Sequence, residues 1–333
     1  MAQRMRFVLG IDIGGTFTDI VLLDRGTREV HAHKELTTPQ DPNEAVARGF
    51  DILCRRCGIA PGDVARVVHA TTLFTNALVE RRGARVGLLT TEGFADVVQI
   101  GRERKYELYD LTLTLPAPLC AAEDRFEVPE RRDAAGAVVT PLDAAAAVAA
   151  ARQAVAQGCT SLAICFLNAY VDGGHESAAA AAIAQALPDV PLSLSHRVAN
   201  EIREYDRATT TIANAYIRPL ADRYLSRFEA GLRALGVAAP VFVMLSNGGL
   251  TSIAEAMRVP IQLLECGPAA GALAASYFAQ QAGIRDLMAL DLGGTTAKLC
   301  SVEGGEPVVV HRFEAAREKR FVPESGLPIR IPT

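Results

Sequence analysis

Apolar and polar positions alternate in three short runs at the start of the chain, at residues 6–13, 18–24 and 29–36. Tight polar connections separate them, which predicts a β-meander. The Gly14-Gly15 pair between the first two runs predicts a turn that uses positive φ. From about residue 43 to 57 the period changes. Ala45, Val46, Phe50, Leu53 and Cys54 recur on one side of a 3.6-residue repeat, the signature of an amphipathic helix. A strand at 64–70, a helix at 73–82 and a strand at 85–90 follow, and this alternation predicts an α/β protein with a mixed sheet and crossover helices.

Residues 101–140 are richer in charge and proline and read as an excursion over the surface. An alanine-rich run at 142–157 predicts a helix closed by Gly158, leading into a buried strand at 161–167. Further on the pattern predicts a long helix at 205–235, a strand at 241–245, the turn Ser246-Asn247-Gly248-Gly249, a small-residue helix at 269–282 and a strand at 286–292. The small side chains of that helix suit close crossing between two lobes. A second turn, Gly293-Gly294, and two short strands complete the chain.

Composition narrows the picture. Of 333 residues, 50% are hydrophobic and 22% charged, enough to bury a core and too apolar for disorder. Length suggests two domains or one large one. A net charge of -4 with no basic block argues against nucleic acid and against an anionic membrane surface as partners. The N-terminal apolar run of about seven residues passes straight into a glycine turn, unlike a signal peptide. Uncharged stretches at 153–171, 234–254 and 266–284 are broken by Gly, Pro, Asn or Gln, as in buried elements rather than membrane spans. Seven scattered cysteines point to a reducing compartment, so the expected location is cytoplasmic. Cys54-x-x-Cys57 has no second pair and reads as two thiols on a helix.

The informative feature is a repeat. Gly10-Ile-Asp-Ile-Gly-Gly-Thr16 and Ala289-Leu-Asp-Leu-Gly-Gly-Thr295 share a pattern 279 residues apart: an apolar strand, Asp, an aliphatic residue, Gly-Gly, Thr. Glycines let backbone N–H groups approach a phosphate with no Cβ in the way. Gly14, Gly15, Thr16 and Thr18 are candidates for one side of the phosphates, and Gly293, Gly294, Thr295 and Thr296 for the other. Asp12 and Asp291 are the candidate catalytic residues and Mg²⁺ ligands. One such turn alone is as easily a plain hairpin, but two copies favour the phosphate reading. There is no G-x-x-x-x-G-K-[ST] and no strand-borne G-x-G-x-x-G, so neither a P-loop nor a Rossmann site is indicated. Lys298 is either a phosphate ligand or a solvated strand residue. His69, Thr71, Thr72 and Asn76 carry hydroxyls and a helix start toward a cleft, or else the threonines simply cap the helix. Asn247 either touches substrate or turns the chain. The polar run Glu201, Arg203, Glu204, Asp206, Arg207 reads first as a solvated, salt-bridged face.

The paired strand–Asp–Gly-Gly–strand hairpins resemble the two phosphate-binding elements of the actin/hexokinase/Hsp70 ATPase fold, in which two ribonuclease-H-like lobes clamp one ATP. The segments GIDIGGTFTDIVLLD (10–24), HATTLFTNALVERRGARVGLLTTEGFADV (69–97), ANEIREYDRATTTIANAYIRPL (199–220), MLSNGGL (244–250), ECGPAAG (265–271), LDLGGTTAK (290–298) and SGLPIRIP (325–332) resemble the hydantoinase A/oxoprolinase family, in that family's order. The resemblance implies ATP and Mg²⁺ as cofactors and hydrolysis of a cyclic amide, a hydantoin or 5-oxoproline, by phosphorylation of its carbonyl oxygen. It implies an A-type subunit acting with a B-type partner. An alternative is a subunit of an ATP-dependent ketone carboxylase; an alternative of another class is an inactive lobe that only binds a partner. Cys266 stands where the family usually has Ser. Only 39 residues follow Gly294, whereas a half-domain of this kind needs of order 100. The expectation is therefore a first lobe at 1–285, with a hydantoinase N-terminal region at roughly 1–185 and the core from roughly 200. Residues 286–333 would begin a second lobe left incomplete, the remainder lying in a longer chain or a separate one.

Overall fold

In the computed structural model the three opening runs form β1 (Phe7–Ile13), β2 (Phe17–Asp24) and β3 (Val30–Leu36). The structure describes residues 5–38, 41–102, 105–292, 297–319 and 322–333. Helix α1 (Pro42–Cys57) starts where Asp41 accepts a hydrogen bond from Asn43 N and Pro42 takes the first helical position. It ends at Gly58, which is left-handed. A Cβ at Gly49 would lie 2.3 Å from Ile20 Cδ1, so a larger residue there would push the Ile20 side chain aside where α1 packs on β2.

The chain continues through β4 (Val64–Thr71), α2 (Leu73–Val79), β5 (Val86–Thr91), α3 (Val97–Ile100), β6 (Arg125–Val128), β7 (Arg131–Arg132), β8 (Val138–Thr140), α4 (Ala144–Ala156), β9 (Ser161–Cys165), α5 (Gly174–Ala186), β10 (Leu192–Leu194) and α6 (Ser195–Val198). Then come α7 (Glu204–Ala234), β11 (Val241–Met244), β12 (Leu250–Ser252), α8 (Ile253–Arg258), α9 (Cys266–Gln281), β13 (Leu287–Leu292), β14 (Ala297–Glu303), β15 (Glu306–Pro307), β16 (Phe313–Ala315) and β17 (Leu327–Ile329).

Two main sheets result, where the sequence suggested one. The first has six strands in the order β12-β11-β4-β1-β2-β3. Its β11, β4 and β1 run parallel, and β1, β2 and β3 antiparallel. The second, β10-β9-β5-β6, is parallel throughout. Part of the expected surface excursion thus supplies a strand: β6 pairs with β5 and buries Phe126 and Val128. Alanines 147, 150, 151 and 154 of α4 pack in this second core with Ala179 and Ile183 of α5. Small side chains bring both helices close to the sheet at little entropic cost.

The start of α7 is not a solvated face. Asp206 and Arg207 are 1% and 0% exposed, covered by Arg102, Arg330 and the end of β9, whereas Glu201 and Arg203 just ahead of the helix are exposed as expected. Arg207 donates to Ser195 Oγ (3.1 Å), Glu201 O (3.1 Å) and Phe166 O (2.8 Å), and pairs with Glu204 (3.2 Å). Fully buried Glu176 accepts from Ser195 Oγ (2.5 Å), Phe166 N (2.9 Å) and His196 N (3.0 Å), closing the network. Burial alone would raise the Asp206 pKa, but the guanidinium groups of Arg102 and Arg330 hold it below the usual value.

Strands β13, β14 and β15 form a separate antiparallel sheet. Met288, Leu290 and Leu292 lie 64–75% exposed along β13. The chain then returns: Ala315, Ile329 and Ile331 join the core of the first sheet, and Ser246 Oγ donates to Pro332 O (2.6 Å). Among the described residues no helix is long and apolar enough to cross a membrane.

Candidate functional site

Strands β1, β4 and β11 run parallel, so their carboxyl ends share one edge of the six-stranded sheet. Crevices outside such strand ends are the usual ligand sites of α/β folds. At this edge β1 turns through Gly14-Gly15, β4 ends at Thr71, and β11 leads into Ser246-Asn247. Thr72 N donates to Ile13 O (3.3 Å), joining the second of these connections to the first.

The first hairpin is built tightly. Gly14 N donates to Phe17 O (2.9 Å), and a Cβ on Gly14 would lie 3.1 Å from that oxygen. A Cβ on Gly15 would meet nothing within 4 Å, so a side chain there would project into open space. Neither glycine has positive φ, contrary to the expectation. What the turn requires is room above the backbone, as an anion cradle does. Thr16 is exposed on the turn, whereas Thr18 is fully buried. Thr37 Oγ1 donates to Gly14 O (2.9 Å), so its contact with Thr18 Oγ1 (3.0 Å) must use the hydrogen of Thr18. Thr18 therefore braces the turn from beneath, with Thr37 as an unforeseen partner.

Asp12 lies at the end of β1, exposed to the open side and surrounded by protein on the others. That crowding raises its pKa, and the carboxylates of Asp19 and Asp291 raise it further, while Lys34 pulls the other way. Asp19 pairs with Lys34 at 2.6 Å. The second hairpin repeats the register of the first: Asp12 stands opposite Asp19, and Asp291 opposite Lys298. Gly293, Gly294, Thr295 and Thr296 lie outside the described residues.

Lys298 Nζ bonds the carboxylate of Glu265, a residue the sequence reading passed over. Glu265 precedes α9 in a left-handed conformation (φ 60°), uncommon for a residue with a Cβ, and its N–H donates to Thr75 Oγ1 (3.2 Å). It thereby ties α2, beside the first hairpin, to β14 of the second. Next to it, buried Cys266 sits against the end of β4, with Thr71 N donating to its Sγ (3.4 Å) and the thiol donating to Thr71 O (3.3 Å). Burial pushes that thiol's pKa up to about 11, so it remains a neutral thiol.

The remaining candidates divide. His69 is fully buried, stacked on Phe228 at 4.1 Å, and does not reach the edge. Its Nδ1 donates to Ile11 O (3.1 Å), so its Nε2 accepts from Tyr224 Oη (2.9 Å). Thr71 Oγ1 accepts from Leu73 N (3.2 Å), closing a short turn one residue ahead of the cap position of α2. Thr72 makes no side-chain capping bond, and Asn76 is exposed one turn on. Asn247 Oδ1 accepts from Gly249 N (2.9 Å), closing its own turn and leaving its amide nitrogen outward.

Burial lowers the pKa of His69 to about 4 from 6.5. Between those values the unfolded chain binds a proton that the native state refuses, so stability falls as pH drops from 6.5 to 4. The expected loss is about 3 kcal/mol. Urea unfolding across that range should show the slope, and His69→Phe should flatten it.

The open Gly14-Gly15 turn and the two aspartates have the chemistry that a magnesium–phosphate ligand requires. Mg²⁺ is commonly held by one or two carboxylates with waters and phosphate oxygens. Asp12 and Asp291 provide two carboxylates within electrostatic reach. Among the described residues no three His, Cys, Asp or Glu side chains gather into a protein-only metal cage.

The family described as the hydantoinase/oxoprolinase N-terminal region matches residues 8–187, and that described as hydantoinase/oxoprolinase matches 207–333. Caprolactamase subunit alpha of Pseudomonas jessenii is 33% identical over 91% of this chain and 44% of its own. Acetophenone carboxylase gamma subunit of Aromatoleum aromaticum is 30% identical over 86% of this chain and 41% of its own. The crystal structure of the ATP-dependent caprolactamase from Pseudomonas jessenii superposes with a TM-score of 0.80 at 31% identity, covering 98% of this chain and 47% of that one. This chain thus spans less than half the length of these relatives. The fold is the actin/hexokinase-like ATPase fold, and the chain belongs to the hydantoinase/oxoprolinase family.

Proposed function

We propose that this chain forms the phosphate-binding part of an ATP- and Mg²⁺-dependent enzyme that opens a cyclic amide. The observation that carries the reading is the pair of hairpins in matching register, each with an aspartate at the strand end, brought within electrostatic reach. An unstrained amide is a poor electrophile. Transfer of the γ-phosphoryl group to its carbonyl oxygen releases ADP and leaves an imidate-like phosphate; water then adds at that carbon, inorganic phosphate departs and the ring C–N bond breaks. Mg²⁺ when bound would neutralise charge on the phosphates. Asp12 and Asp291 would hold it. Gly14 and Gly15 would present backbone to one side of the phosphates and Gly293 and Gly294 to the other. Thr16, Thr295 and Thr296 would add hydroxyl donors, and Thr72 and Asn76 would border the substrate side.

Lys298 would reach the phosphates only by leaving Glu265. A partner subunit is part of the proposal, as relatives are named as subunits. The division of the chain at about residue 286 is proposed for the separate sheet of β13, β14 and β15.

ADP release by the full protein with its partner tests the reading. Hydantoin, 5-oxoproline or ε-caprolactam is expected to stimulate release, with ring-opened product in equal amount. Stimulation by a ketone only with bicarbonate would instead place the chain with the carboxylase relatives, the second reading that the acetophenone carboxylase match favours. ATP binding without turnover under any of these conditions would leave only a partner-binding role.

A further inference from the structure

Each hairpin sets one residue directly across from its strand-end aspartate, Asp19 from Asp12 and Lys298 from Asp291. Side chains opposed in this way on an antiparallel pair have Cβ atoms about 5 Å apart and interact. In the first hairpin both are carboxylates, and Asp19 is taken up by Lys34 at 2.6 Å. In the second they carry opposite charge, so cross-strand geometry favours an ion pair between Asp291 and Lys298. That pair does not form. The ammonium of Lys298 is turned onto Glu265 instead, and among the described residues Asp291 enters no ion pair.

Glu265 is placed for this contact from the opposite side of the cleft. Its carboxylate and the ammonium of Lys298 lie on half-shielded side chains, 14% and 27% exposed. Its backbone is left-handed, with φ 60° and ψ 17°, a conformation that suits glycine and strains a residue with a Cβ. The backbone contacts of this turn need no side chain at 265. The N–H of Glu265 donates to Thr75 Oγ1 (3.2 Å), and Cys266 is held at both ends of the Thr71 peptide. What a glutamate adds over glycine here is its carboxylate, and that carboxylate bonds Lys298.

We infer that Glu265 is a positioning residue for the metal: it draws Lys298 off Asp291 and so leaves the Asp291 carboxylate open to a divalent cation. Released from Glu265, Lys298 would swing onto Asp291 and compete with the ion, and the fraction of protein with a free ligand would fall. The inference rests on the proposed reading of Asp291 as a metal ligand.

Titration of the full protein with Mn²⁺ alone, followed by the EPR signal of the free ion, tests it. Asp291→Asn should weaken Mn²⁺ by about tenfold, which checks the ligand itself. Glu265→Gln should weaken it by about fivefold, the worth of a favourable exposed ion pair. Lys298→Met should restore binding in the Glu265→Gln background, yet change it by less than about twofold when Glu265 is present. If Glu265→Gln fails to fold, Glu265→Gly, which the left-handed backbone accepts, serves the same comparison. Unchanged Mn²⁺ affinity on loss of the Glu265 carboxylate would overturn the inference and leave Asp291 as a ligand. So would an equal effect of Lys298→Met in both backgrounds, the mark of plain charge attraction. Absent Mn²⁺ binding at millimolar concentration, or no effect of Asp291→Asn, would overturn the metal reading and the inference with it.

Discussion

Asparagine in place of Asp12 is expected to cut ATP turnover by on the order of a thousandfold, about 4 kcal/mol of lost stabilisation of the reacting phosphates. The fold should not suffer. The native-state pKa of Asp12 is raised, chiefly by the crowding around it and then by Asp19 and Asp291, so the native state resists its ionisation. A group whose pKa rises on folding costs stability as pH climbs past its unfolded value. Removing that charge should therefore leave the melting temperature unchanged or raise it at neutral pH. A kinetic assay beside a thermal melt separates the two effects. Turnover within about tenfold of the native protein would remove Asp12 from the metal-binding set.

The largest effect on stability is expected at Arg207. Methionine there keeps most of the volume but leaves the carbonyl of Phe166 and the hydroxyl of Ser195 without their donor, and Glu204 without its ion-pair partner. Truncating one partner of a buried charged network costs about 3–5 kcal/mol. Lysine should rescue little, because one ammonium cannot reproduce donors that leave the guanidinium from Nε, Nη1 and Nη2 in fixed directions. Equilibrium unfolding in urea reads both. A loss below about 1 kcal/mol for Arg207→Met would show that the network contributes little to stability.

The elements legible in the sequence are those whose signal is local. The β1–β2 hairpin and α1 rest on periodicity, a double glycine and a cap, all within a few residues. Helix α4 was legible from alanine propensity, yet α5 went unmarked although it too is alanine-rich. Its few bulky side chains give almost no amphipathic pattern to read. The strand β6 is four residues long inside a charged stretch, and is a strand because β5 offers it an edge.

The candidate site divides in the same way. The sequence by itself determined the repeat, with its two aspartates and two glycine pairs, because identical local needs of a phosphate turn impose identical residues. It determined the family for the same reason. Only the tertiary structure decided which polar side chains face the open edge. His69 alternates correctly for a strand end yet points into aromatic packing against Tyr224 and Phe228, from a helix 155 residues away. Thr18 turned inward to bond Thr37, and within the polar run Asp206 and Arg207 are buried by Arg102, Arg330 and the end of β9 while Glu201 and Arg203 stay exposed. Glu265 gained a partner in Lys298 only when α9 came to lie beside β14. Burial and partnership depend on what chain segments distant in sequence bring together, and no local pattern encodes which segment that will be.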